Sequence, residues 1–84
     1  MEDFILPSFY SYDLSTFKMP FIVIYKHPND YPSKFVARLL IMDKCTRFVV
    51  LDDTLEGIRS KIPLGLICNP RDIMDDHKIV ESYF

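Results

Sequence analysis

Two histidines, two cysteines and several closely spaced carboxylates are the residues of this 84-residue chain with the chemistry for catalysis or metal binding. His27 stands three positions from Asp30, and Asp72, Asp75, Asp76 and His77 fall within six residues. Imidazole and carboxylate together suit zinc or manganese. Neither a His-x-x-x-His pair nor a calcium loop is present, and Asp-Asp-His after Asn69-Pro70 has the composition of a solvated turn, so no metal ligand is assigned. Cys45 and Cys68 are 23 positions apart, which fits neither a disulfide-dense scaffold nor a Cys-x-x-Cys motif. As nucleophiles they lack an oxyanion-type turn, because the chain holds only two glycines. The expectation is a protein with no catalytic residues and no cofactor.

A third cluster, Asp52, Asp53 and Glu56, has a structural explanation. It follows the apolar run Thr46-Arg-Phe-Val-Val-Leu51 and precedes Leu55, Ile58 and Ile62, which share one helical face. Asp53 and Glu56 have capping-box spacing, and all three acids lie at the positive end of the helix dipole. Pro63 marks the stop.

Those acids need elements to hold them. Phe21-Ile-Val-Ile-Tyr-Lys26 predicts a strand covered on both faces, and Phe35-Val-Ala-Arg-Leu-Leu-Ile-Met42 a second whose alternation places Arg38 on the less buried face. His27-Pro-Asn-Asp-Tyr-Pro-Ser33 is loop chemistry, and the short connections imply an antiparallel meander. Residues 64–77 read as irregular, and Lys78–Phe84 closes the chain as a strand. The fold class is therefore α+β: a small antiparallel sheet with one helix packed on it, order β-β-β-α-β, preceded by an aromatic N-terminal arm. The arm spans residues 1–18 and the compact domain residues 19–84. An 84-residue chain buries only about 60–65% of its extended surface, so every large apolar residue counts.

The arm carries Phe4, Phe9, Tyr10, Tyr12 and Phe17 without a clean period. Such aromatics either extend the core or anchor a partner. With His27, Tyr31, Lys34 and Arg38 from the first loop and second strand, they form the expected partner-binding set. A protein partner is expected, a homodimer is possible in principle, and the arm is expected to be dispensable for folding. Charge supplies the alternative. Residues 18–51 hold six bases against two acids while both flanks are acidic, each at −3, a pattern that signals either intramolecular balance or a nucleic-acid footprint. With no long apolar run and acids at positions 2 and 3, the expectation is a cytoplasmic protein without a membrane segment.

The core from Phe21 to Phe84 resembles a family of short uncharacterised proteins from Gram-positive bacteria and their mobile elements. The matching residues are Tyr25-Lys-His-Pro-Asn-Asp-Tyr-Pro-Ser-Lys-Phe-Val-Ala-Arg38, Asp53-Thr-Leu-Glu-Gly-Ile-Arg59, Ile62-Pro-Leu-Gly-Leu66, Pro70-Arg71 and Ile79-Val-Glu81. The Asp53-Thr-Leu-Glu56 stretch after a meander is also similar to the half-RNase-H fold of HicB-type antitoxins, small proteins that bind a partner toxin. These resemblances imply a phage or mobile-element inhibitor of a bacterial defence system, or an antitoxin-like protein. Residues 1–18 lie outside both patterns.

Overall fold

The structure, a computed structural model, describes residues 3–9, 19–42, 44–63, 65–71 and 77–84. Within them lie strands β1 (Phe4–Leu6), β2 (Pro20–Lys26), β3 (Phe35–Ile41) and β4 (Lys44–Asp52), helix α1 (Leu55–Ser60), and strands β5 (Cys68–Pro70) and β6 (Ile79–Tyr83). The strands form one six-stranded mixed sheet in the order β1-β4-β3-β2-β6-β5. β1 runs parallel to β4, and every other pairing is antiparallel. The fold is α+β, and two features correct the expected order. The arm contributes an edge strand, and the segment read as irregular contributes the opposite edge. Each is three residues long, too short to display a period, and β5 contains a proline, which a sheet tolerates at its edge.

Register divides the side chains between two faces. Leu6, Val50, Ala37 and Ile24 stand in one cross-strand row, with Leu39 and Ile22 in the next. These residues join Phe9, Ile58 and Ile62 in the core beneath α1. Phe9 is fully buried, and its amide donates to the Lys61 carbonyl at 3.1 Å, carrying the chain from β1 to the end of the helix. Residues 3–9 of the arm are thus part of the packed structure. Val23, Val36 and Val49 are buried on the opposite face, in the rows that contain Arg38 and Tyr25.

The helix begins one residue later than the expected cap. Thr54 is the N-cap, its hydroxyl accepting from the Gly57 amide at 3.0 Å, and Asp52 accepts from the Thr54 amide at 3.1 Å. Asp53 is instead paired with Lys34. Asp52 also takes the Lys61 ammonium at 2.8 Å, which holds its carboxyl below the usual range. Its position depends on Gly57, since a Cβ there would collide with the Asp52 carboxylate. Gly57→Ala should therefore lower the melting temperature, although alanine is favoured in helices by about 1 kcal/mol over glycine. Adding Asp52→Ala should restore alanine's advantage relative to Asp52→Ala alone, and thermal melts of the four proteins check this.

Candidate protein-interaction surface

The acidic flanks neutralise part of the basic segment. Arg38 projects from the middle of β3 and meets Asp3 side by side: Nη1 reaches Oδ1 at 3.1 Å and Nη2 reaches Oδ2 at 3.2 Å. Nη1 also donates to the Thr46 carbonyl at 2.8 Å, and the Tyr31 hydroxyl donates to Asp3 Oδ2 at 2.9 Å. Both partners of the ion pair are largely covered, at 16% and 15% side-chain exposure, so this contact is worth more than a surface pair. The Arg38 guanidinium holds the Asp3 carboxyl below its usual range against the opposing effect of burial, while burial and the bond to Asp3 push the Tyr31 phenol up. Lys34 is taken by Asp53. Two bases of the central segment are thus matched with acids of the first and third segments, as intramolecular balance requires.

The expected partner-binding residues consequently separate. Tyr31 and Arg38 meet through Asp3, a residue whose role the sequence did not signal. His27 is exposed with φ 49°, its ring edge against Phe35 at 5.3 Å, and Lys34 turns toward the helix start. Phe4 is 58% exposed and stacks on Phe48 with centroids 5.6 Å apart. Phe9 is drawn into the core and corrected from anchor to structural residue, because an apolar ring beneath α1 has no surface to offer. Tyr10, Tyr12 and Phe17 lie outside the described residues, as do Asp72, Asp75 and Asp76. Among the described residues no three His, Cys, Asp or Glu side chains come together as a metal site would require. Cys45 and Cys68 are both exposed thiols.

A different group is brought together at the end of the sheet where β2 starts and β3 and β6 finish. Met19 and Met42 are 62% and 54% exposed, and Ile67 and Phe84 are 69% and 52% exposed. The Met42 amide donates to the Met19 carbonyl at 3.4 Å, and both methionines hold left-handed backbone, at φ 51° and 47°. Ile67 and Phe84 exchange two backbone hydrogen bonds of 3.2 Å, and the Phe84 ring packs on Phe21 at 4.9 Å. Phe21 in turn stands opposite Leu40 on β3. The result is an apolar border that crosses β3, β2, β6 and the residue leading into β5. Sequence reasoning missed it because its members are isolated at strand ends, where periodicity carries no signal, and only strand order makes them neighbours.

Among the described residues no helix is long and apolar enough to cross a membrane. No family model, no curated protein and no solved structure matches the chain, so the fold and these surfaces stand on their own geometry.

Proposed function

We propose that the protein is a non-catalytic interaction module that binds and modulates a partner protein through the apolar border of Met19, Phe21, Met42, Ile67 and Phe84. The observation that carries this reading is the clustering of four exposed large apolar side chains at one end of the sheet. Exposed large apolar side chains gathered at one end of a sheet suit an interaction site, and methionine fits such surfaces because its thioether adapts to the partner. The resemblance to proteins of Gram-positive bacteria and their mobile elements gives the proposal its most concrete form: a cytoplasmic inhibitor of a bacterial defence system, or an antitoxin-like protein. A nucleic-acid interface on residues 18–51 is the rival, and it has less support because Lys34 and Arg38 are matched with Asp53 and Asp3.

Affinity capture from host cells, run in parallel with wild-type protein and the Met42→Glu/Ile67→Glu variant, tests the proposal. Both side chains are exposed, so the variant should keep the wild-type circular dichroism and melt. The expected result is one protein retained by the wild type and lost with the variant, and no retention of either on heparin at physiological salt. Equal capture by both removes this surface from consideration.

A further inference from the structure

On the sheet face away from α1, at the end opposite the apolar border, Tyr25, Pro28, Asp30, Val36 and Arg38 line a cleft of about 210 Å³. That volume is below the roughly 300–1,000 Å³ of sites that enclose a whole small molecule and suits one side chain. Arg38 would ordinarily make such a cleft an anion receptor. Here it does not, because Asp3 takes one N–H from each terminal nitrogen and the Thr46 carbonyl takes another. The polar group left with unused capacity is Asp30. Its carboxylate, which can accept about four hydrogen bonds, makes one long contact among the described residues, 3.5 Å to Arg38 Nη2, and its side chain is 58% exposed. Arg38 and Arg47 both act on Asp3, so the two cations balance Asp3 and Asp30, and the negative group facing the cleft is the Asp30 carboxylate alone. Lys34 and Lys78, which flank the loop, are held by Asp53 and by the Asn29 side chain. The walls are apolar or aromatic: the half-buried Tyr25 and Pro28, with Val36 1% exposed as floor.

We infer that this cleft is a receptor for a cation on an apolar stem, specifically a lysine or arginine side chain of the protein partner, with the stem against Tyr25, Pro28 and Val36 and the charge on Asp30. A guanidinium or ammonium so placed combines a carboxylate with an aromatic wall, the pairing that recognises basic side chains elsewhere. The inference rests on the protein-interaction reading for the source of the side chain. Its chemistry, however, is tested with small probes that need no partner, so either idea can fail alone.

Amide chemical shifts of the full chain should be followed during titration with Nα-acetyl-arginine amide, Nα-acetyl-lysine amide, putrescine and the neutral Nα-acetyl-citrulline amide. The expected result is saturable movement at Tyr25, Asp30 and Val36 with a Kd on the order of millimolar, as a single side chain supplies. Asp30→Asn should weaken binding by about three- to tenfold with an unchanged melt. Blocked arginine or lysine should outcompete putrescine if the source is a protein side chain, and the reverse order overturns that assignment. Equal binding of the citrulline probe, retention by Asp30→Asn, or no movement at these residues overturns the receptor.

Discussion

Phe9→Ala is expected to cost about 3–5 kcal/mol, read from the midpoint of urea unfolding, because the ring is wholly buried beneath α1 and its removal opens a cavity in a thin core. At roughly 0.05–0.15 kcal/mol per residue, a domain of this size holds only about 4–13 kcal/mol in all, so one substitution removes much of its stability. Phe4→Ala, five residues away on β1, should cost less than about 1 kcal/mol, since that ring is 58% exposed and contacts Phe48 at the sheet surface. The contrast matters for function. Deleting the arm removes an edge strand, the Asp3 clamp on Arg38 and Phe9 together, so loss of partner capture after truncation would report unfolding rather than a lost interface. An unchanged midpoint for Phe9→Ala would return the arm to the status of a separable appendage.

The limits of the sequence reading follow from where each interaction originates. β2, β3, β4, β6 and α1 were legible because Val, Ile and Phe recur in them at the strand or helix period and prolines punctuate the gaps. β1 and β5 were not, since three residues cannot show a period and the parallel pairing of Phe4 with Phe48 joins segments 44 positions apart. Asp52, Asp53 and Thr54 can all cap a helix. The choice among them is tertiary, because Lys34 draws Asp53 away and Lys61 fixes Asp52. The aromatic content of the arm was visible, but composition does not divide a core ring such as Phe9 from a surface ring such as Phe4. Nor does it show that Met19 and Met42 share one border, which depends on β2 pairing with β3.

The second large effect concerns a carboxylate placed on the core face of β6. Glu81 is 5% exposed, beside Ile24 in the register, and Arg59 from α1 reaches it as a fork, Nε to Oε2 at 3.0 Å and Nη2 to Oε1 at 2.7 Å. The Tyr83 hydroxyl donates to the same carboxylate. Arg59 holds the Glu81 carboxyl below its usual range, and burial works against it. Arg59→Gln should therefore cost on the order of 2–3 kcal/mol at neutral pH, toward the low end for a broken buried pair because the Arg59 side chain is 48% exposed and water can partly replace it. The sign of the pH dependence separates this from a loss of packing. In the wild type the depressed carboxyl contributes stability that is complete above its unfolded value and is lost as pH falls through the folded one. Without Arg59 the carboxyl loses the largest of the effects that lower it, leaving burial opposed only by the bonds from Tyr83 and Cys68, so it rises from its wild-type position and the stability that the wild type gains with pH shrinks. The gap between wild type and Arg59→Gln should widen from about pH 3 to about pH 7. In a Glu81→Gln background the same arginine change should cost less than about 1 kcal/mol and show no such widening, since no buried carboxylate remains to be left without its cation. Chemical denaturation of the four proteins across that pH range gives the coupling directly, and a gap that stays constant with pH would reduce Arg59 to a packing residue.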